Sequence, residues 1–275
     1  MADYSIVTLT EFKRYAGITS DDDNKLLEEL IARASDFIEY YLARKLKSRI
    51  YTHERYDGDG KDYLFVENYP ITAVERLSIG TLDAIRVYYG VDVFNAYARV
   101  STTGVTLVVD GTAGSELTFS SYATLATMAT AINGQTSWTG SVAISDYNSW
   151  PSALLYPQQN IYAVESYGYL KVPDEPIYDY RLDANRGMIY YSTGFDSGVQ
   201  NIFLTYTAGY TASTMPGAIK QACFDLVKFK YEDRQGDPNM KSEKKGDYSY
   251  TRMDLEDALP KSLKLELAMF RRPLV

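Results

Sequence analysis

The stretch from Ile202 to Arg234 constrains the fold most, because it joins a predicted β-strand directly to a predicted helix. Residues 202–207 are β-branched, aromatic or leucine, which favours a strand, and Gly209 ends it with a residue that tolerates positive φ. Pro216 suits the first turn of a helix, where its missing N–H would have no partner, and apolar residues follow at helical spacing. No catalytic group stands out in this stretch, which favours a protein that works by contact.

A longer helix is predicted near the N-terminus. Between residues 26 and 42, apolar side chains recur every three or four positions, the strongest helical periodicity in the chain. The acidic run 21–23 precedes it and suits the positive end of a helix better than a metal ion, which three adjacent side chains cannot easily surround. A short helix over residues 8–17 is predicted before it, with Thr8 or Thr10 as the cap and Gly17 as the stop.

Short β segments follow the long helix. Residues 49–56 and 63–66 flank the turn Asp57–Gly60, which predicts a β-hairpin, and residues 72–79 continue as a strand. The turn reads DGDGKD, but Lys61 and Asn68 stand where a calcium-binding loop needs carboxylate ligands. The sequence therefore predicts a structural turn here. Strand character resumes at residues 178–182 and 188–191.

Residues 81–176 are predicted to form a separate β-rich unit. Strands are expected at residues 105–109, 116–119 and 138–144, and an uncharged helix of small residues at 121–132. This order gives a ββαβ module whose helix is expected to be buried between strands. The polar stretch that follows the Pro216 helix favours a flexible arm over residues 235–257.

Composition excludes several classes of protein. A formal net charge of −8 argues against sequence-reading contact with nucleic acid, which depends on Lys and Arg. The single cysteine, Cys223, excludes an intramolecular disulfide, fits synthesis in a reducing cytoplasm and is expected in the core. Because no apolar run is long enough to span a bilayer and no signal peptide is recognisable, we expect a soluble chain without membrane contact.

Catalytic chemistry has little support in the sequence. The single histidine, His53, lies in the predicted hairpin, and neither a nucleophile elbow nor a cysteine-rich metal site is present. Gly58 and Gly60 lack the spacing of a nucleotide-binding loop. We therefore expect no enzyme activity, cofactor or metal. The 26 tyrosines, against two tryptophans, favour extensive protein interfaces instead.

Several segments together resemble the head–tail connector proteins of tailed bacteriophages, also called adaptors or head completion proteins. They are the run LTEFKRYAGITSDDDNKLLEELIARASDFIEYYLARKL, the segment ENYPITAVERL, the turn LTYTAGY, the helix MPGAIKQACFDLVKFKYEDR and the arm SEKKGDYSY. Their order and spacing carry the resemblance, which covers residues 8–80 and 177–272. The segment 81–176 departs from the compact form of that family and is similar to an inserted domain.

The resemblance implies a virion structural protein in the neck of the particle, made in the host cytoplasm. It would form a twelve-fold homo-oligomeric ring between the portal and the next neck or tail protein, a stopper or terminator. DNA would pass through the lumen without sequence-specific binding. The expected fold is α+β. A helical core would contain the long N-terminal helix, the Pro216 helix and the C-terminal helix, together with a small antiparallel β-sheet and the inserted domain.

The expected domains are a connector core of residues 1–80 and 177–275, which contains the arm, and the inserted domain 81–176. By family analogy the arm and the C-terminal helix would bind the portal. The residues expected to do so are Lys241, Lys244, Lys245, Tyr248, Tyr250, Leu263, Leu267, Phe270, Arg271 and Arg272. An alternative function stays open, in which residues 81–176 do the main work of a virion decoration or glycan-binding module.

Overall fold

The computed structural model describes residues 4–233, 242–245, 248–251 and 261–271. The helices are α1 (Leu9–Ala16), α2 (Asn24–Leu42), α3 (Leu125–Asn133), α4 (Gly217–Asp233) and α5 (Lys261–Ala268), with 3₁₀ turns at Ser145–Tyr147 and Ser152–Leu154. The first strands are β1 (Arg49–Gly58), β2 (Tyr63–Phe65), β3 (Ile71–Ile79), β4 (Thr81–Tyr89), β5 (Ala96–Val100), β6 (Gly104–Val109), β7 (Thr112–Ala113) and β8 (Leu117–Thr118). The others are β9 (Trp138–Val142), β10 (Gln158–Tyr162), β11 (Gly168–Pro173), β12 (Tyr180–Asp183), β13 (Met188–Tyr191), β14 (Gly198–Ala208), β15 (Ser242–Lys245) and β16 (Tyr248–Thr251).

The predicted fold class, an α+β fold organised on a helical core, is wrong, because the structure is mostly β. Strands hold more of the described residues than helices do, and they form several antiparallel sheets. Two of the three hydrophobic clusters are built mainly from strand residues. The long helices have a conspicuous local periodicity, which favours a helical core when the sequence alone is considered. The short strands pair across long distances in the chain, and no local pattern indicates those pairings.

The helices that flank the sheets form a hydrophobic cluster of their own, called the helical cluster below. It contains buried side chains from α1, α2, α4 and α5, among them Phe12, Ile31, Ile38, Cys223 and Leu267. The predicted pairing of the long helix with the Pro216 helix is thus confirmed, and so is the buried position of Cys223.

The starts of the two N-terminal helices differ. Thr8 caps α1 as predicted, and its backbone N–H donates to the Glu11 carboxylate in return, while Gly17 ends the helix at φ 69°. Asp23 stands at the N-cap of α2 but makes no side-chain capping bond. Its carboxylate instead accepts a hydrogen bond from the Tyr231 hydroxyl at 2.6 Å. The acidic run thus connects α2 to α4 as well as complementing the helix end.

Two three-stranded sheets form the centre of the molecule, in the orders β1-β14-β3 and β12-β13-β2. Their side chains share a second core, the central cluster, with Leu64, Ile189, Phe195, Leu204 and Tyr206. The predicted hairpin of residues 49–66 is wrong, because β1 pairs with β14 whereas β2 pairs with β13. Local alternation identified both strands but contained no information on their distant partners.

The third cluster, called the insert cluster, is formed by residues between Ala84 and Val172. Its sheets have the orders β11-β4-β9 and β10-β5-β6-β7, and β8 also pairs with β6. The ββαβ prediction is therefore incomplete, since it missed β4, β5, β7, β10 and β11. Helix α3 packs on this cluster with one face, while Thr127, Thr130 and Asn133 on its other face are exposed, so the helix is not enclosed by strands as predicted.

The chain enters and leaves the insert cluster at one point. Thr81 at the start of β4 pairs with Pro173 at the end of β11, and the Asp174 N–H donates to the Gly80 carbonyl at 3.1 Å. The Arg76 guanidinium donates to the carbonyls of Pro173 and Asp174. Two adjacent strands thus connect the insert cluster to β3 of the central sheet.

Candidate assembly interface

Helix α5 presents apolar side chains on two sides. Leu267 is fully buried in the helical cluster, and Phe270 packs partly against it. Leu265 and Met269 lie on the opposite side and are 72% and 83% exposed. Side chains at i and i+4 are neighbours on a helix, and Met269 directly follows the last residue of α5, so this segment has an apolar outer face as well as a buried inner one.

The predicted portal-binding residues lie in two places. Lys244 and Lys245 are in β15, which pairs in antiparallel fashion with β16, where Tyr248 and Tyr250 lie. Leu263 is in α5. Lys241 and Arg272 lie outside the described residues.

One of these residues needs correction. Leu267 is part of the hydrophobic core and is inaccessible to a partner in this conformation. Leu263, Leu267 and Phe270 were predicted to form the binding face of this helix. The exposed pair Leu265 and Met269 was not predicted. The spacing of four residues was a signal for this pair. The sequence could not decide which of the two apolar faces of α5 packs inward, because that depends on the cluster that receives it.

The end of α5 contacts a row of stacked side chains. The Tyr69 hydroxyl donates to the Arg271 carbonyl at 3.4 Å, and the Arg271 guanidinium lies 6.0 Å from the centre of the Tyr41 ring. On the Tyr69 ring, the Arg44 guanidinium stacks at 3.8 Å. The position of the C-terminal segment is therefore connected to the end of α2, which Arg44 follows.

A buried carboxylate joins α2 to β1. Glu39 accepts hydrogen bonds from Lys45 Nζ at 2.8 Å, from the Leu46 backbone N–H at 2.9 Å and from Arg49 Nη2 at 3.1 Å. Glu39 is almost fully buried, and Arg49 is mostly so. Such a paired, hydrogen-bonded carboxylate is tolerated in a core, and it fixes the turn between the helical cluster and the central sheet.

The single histidine and the acidic turn at the end of β1 both have structural partners. The pKa of His53 is lowered by burial and by the nearby Arg76, and its backbone N–H donates to Thr205 Oγ1. In the acidic turn, Asp57 accepts from the Gln200 N–H at 2.6 Å, and Asp59 pairs with Lys61. Across the described ranges, no cluster of His, Cys, Asp and Glu is arranged to hold a metal ion.

Among the residues that the structure describes, no helix combines the length and the apolar character needed to cross a membrane.

Comparison with known proteins gives one family match. Residues 5–129 match the family model of the head completion protein. This range contains α1, α2 and the first strands, and it continues into the segment predicted as an insertion; residues 177–272 lie outside it. The curated proteins gave no match.

A solved structure shows a weaker similarity. A chain described as part of the "Neck of empty GTA particle computed with C6 symmetry" is 12% identical, with a TM-score of 0.46. The similarity covers 100% of this chain and 94% of that one. The family match confirms the resemblance to head completion proteins over residues 8–80, and it also covers residues 81–129, which were expected to depart from that family.

Proposed function

We propose that the chain is a head–tail connector, a structural subunit of the neck of a tailed-phage particle. The observation that carries this proposal is the match of residues 5–129 to the head completion family. In that role the subunits form a homo-oligomeric ring, with twelve as the expected number. The ring lies between the portal and the next neck or tail protein and surrounds the DNA. A formal net charge of −8 supports a passage that does not hold phosphates tightly.

The C-terminal segment is the proposed portal-binding element. The apolar pair Leu265 and Met269 supports this proposal, because large apolar side chains this exposed commonly mark a protein-binding surface. Arg271 at the end of the same helix is also exposed and adds a positive charge to the surface. The strands β15 and β16 pair with each other and contain the lysines and tyrosines of the proposed arm. Apolar anchors with neighbouring Arg and Tyr residues are typical of binding hot spots.

Residues 81–176 are proposed to be a domain inserted into this connector. Two observations support the proposal: the insert cluster draws on residues 84–172 alone, and the chain enters and leaves it through paired strands. Placed on the outside of the ring, the insertion would leave the lumen free.

The portal-binding surface is tested with the double variant Leu265→Ser, Met269→Ser. Removing two apolar anchors should weaken binding to purified portal rings by about 100-fold, since burying each such side chain contributes roughly 1.5–3 kcal/mol. Binding is measured by sedimentation of portal rings with the full chain. The matched control is Val199→Ser, which replaces an apolar side chain that is 86% exposed in β14.

Negative-stain images of the same mixtures test the proposed function itself. Rings stacked on the portal by the wild-type chain are expected. A wild-type chain that does not bind the portal would contradict the connector function. If both the wild type and the double variant bind equally, the function stands and the α5 surface is the wrong site.

A further inference from the structure

Four strand ends of the insert cluster lie at the opposite end of β4 from the connecting strands. Tyr89 at the end of β4 pairs with Trp138 at the start of β9, and Val87 pairs with Gly168 at the start of β11. Tyr97 in β5 pairs with Tyr162 at the end of β10. Because β4 begins at the connecting strands and a strand rises about 3.3 Å per residue, these ends lie roughly 26 Å from the connection.

The loops at this end, residues 90–95 and 163–167 with the strand end Tyr162, expose apolar and aromatic side chains. We call this surface the tip. Phe94 is 91% exposed, and Val91, Tyr162 and Tyr167 are exposed as well. The centre of the Tyr167 ring lies 5.4 Å from that of the Tyr88 ring, so Tyr167 packs against a side chain of β4. A fully exposed phenylalanine beside further apolar side chains is costly in water, which indicates a surface that is covered by a partner.

The charges around the tip are mainly negative, although the Arg86 guanidinium lies 5.9 Å from the centre of the Tyr167 ring. Asp92 and Glu165 are exposed in its two loops, and Asp110 lies next to them, where its carboxylate accepts a hydrogen bond from the Asn95 N–H at 2.9 Å. Between residues 87 and 170 the sequence contains a single basic residue, Arg99, which lies in β5 beside Tyr97. An acidic rim around apolar anchors is complementary to an apolar socket surrounded by Lys and Arg.

The backbone of the tip is held in an unfavourable conformation. Glu165 and Ser137 have φ angles of +63° and +65°, in the left-handed region that favours glycine. The Ser137 carbonyl accepts a hydrogen bond from the Gly90 N–H at 2.8 Å, which connects it to the loop of Phe94. Such conformations persist where the surrounding structure fixes them, so the loops present their side chains in a set geometry.

We infer that the tip is a second protein-binding surface, with Phe94 as its apolar anchor and Asp92 and Glu165 as its charged rim. Its partner is a protein surface with an apolar socket flanked by lysine or arginine. This surface carries exposed carboxylates, whereas the C-terminal segment carries the exposed Arg271, so it binds a different partner region. The acidic rim disfavours nucleic acid and anionic lipid, because both repel carboxylates.

Site-specific photo-cross-linking tests this proposal. The photoreactive residue p-benzoylphenylalanine is placed at Phe94 of the full chain, in cells where the particle is assembled. A matched sample carries it at Ile144, an exposed apolar residue of the same module that lies at the connected end, next to Ala84. We expect Phe94 to cross-link to a protein at a peptide that contains Lys or Arg, with a yield at least tenfold above that from Ile144.

The charged rim is tested in the same sample by adding Asp92→Asn and Glu165→Gln. Loss of both charges should lower the cross-linking yield about threefold, because exposed ion pairs contribute little each but act together. Yields from Phe94 and Ile144 that are equal would overturn the proposal. So would cross-linking from Phe94 only to a glycan or lipid, or only to peptides without a basic residue.

Discussion

The helical cluster and the insert cluster are held together by different interactions. In the helical cluster, charged side chains connect elements that are far apart in sequence: Glu11 pairs with Lys220 at 3.0 Å, and Asp225 accepts from the Tyr15 hydroxyl at 2.8 Å. Within residues 81–176 the described part of the chain has one ion pair, Lys171–Asp83, and it is exposed. Apolar packing, the backbone ladders and neutral side-chain hydrogen bonds, such as those of Asn133 with Gly140, hold the rest.

The difference indicates that the two regions respond differently to substitution. A carboxylate such as Glu39 serves three donors at once, so removing it leaves several groups unpaired. A buried methionine such as Met128 has no directional partner, and its loss leaves a cavity. The chain has a natural probe in each region, because both tryptophans lie in the insert cluster region and the single cysteine lies in the helical cluster.

Glu39→Gln should give the largest effect. Removing the buried negative charge leaves Arg49 without its ion pair, which is expected to lower the free energy of unfolding by about 3 to 5 kcal/mol in the helical cluster. The measurement is the rate at which a thiol reagent labels Cys223, which should rise by about two to three orders of magnitude. The pKa of this thiol is raised to about 12 by burial, so labelling reports opening of the cluster.

The control for this variant is Glu28→Gln, which removes a carboxylate from the exposed face of the same helix. It should leave the labelling rate nearly unchanged. An equal shift of the tryptophan fluorescence transition in Glu39→Gln would contradict the comparison, because it would show that both regions unfold as one unit.

Met128→Ala should have a somewhat smaller effect, confined to the insert cluster. The cavity is expected to cost about 3 kcal/mol in the free energy of unfolding, measured by urea titration of tryptophan fluorescence. Labelling of Cys223 should not change. Thr130→Ala, at an exposed position of the same helix, is the control and should shift the transition by less than about 0.5 kcal/mol. If Met128→Ala accelerates Cys223 labelling instead, the regions are coupled.

Substitutions in the helix caps should give the smallest loss of unfolding free energy. Their dependence on pH should also distinguish the helical cluster from the insert cluster. Both α1 and α3 begin with a capping box, which pairs Thr8 with Glu11 in the first and Thr124 with Thr127 in the second. Glu11→Gln and Thr124→Ala should each cost about 1 kcal/mol at neutral pH, in the helical cluster and the insert cluster respectively. The same two probes measure the changes.

The stability costs of the two cap variants should respond differently to a fall in pH. The Thr8 backbone N–H and Lys220 lower the pKa of Glu11 below its ordinary value of 4.5, against an opposing effect of burial. The charged Glu11 carboxylate therefore stabilises the folded state above pH 4.5, and this stabilisation is lost as the pH falls through its lower folded-state pKa. Once the pH lies below the folded-state pKa of Glu11, Glu11→Gln should equal the wild type, whereas the cost of Thr124→Ala should persist. A pH-independent cost of Glu11→Gln would contradict the assigned role of its charge.

The sequence predicted those features that are encoded locally. The capped helix α1, the long helix α2 and the helix after Pro216 were found, because periodicity and capping residues lie within a few positions of each other. Strand positions such as β6 and β9 were also found approximately. These elements rest on side-chain patterns that need no knowledge of the rest of the chain.

The pairing of strands could not be predicted, because it depends on contacts between distant segments. Tyr51 and Tyr206 stack with ring centres 5.0 Å apart although 155 positions separate them, and nothing near either residue indicates the other. The same limit applies to α5, where both faces are apolar and only the receiving cluster selects Leu267 as the buried one. The tip was missed because Phe94 lies in a loop without periodicity.

The paired strands that connect the insert cluster also make this chain suitable for grafting. Since Thr81 and Pro173 are direct neighbours across a sheet, their Cα atoms are only about 5 Å apart, and a two-residue turn is long enough to replace everything between them. The same two positions would accept another domain whose ends are equally close. The site thus offers a permissive position at which cargo can be displayed without rerouting the backbone of the central sheet.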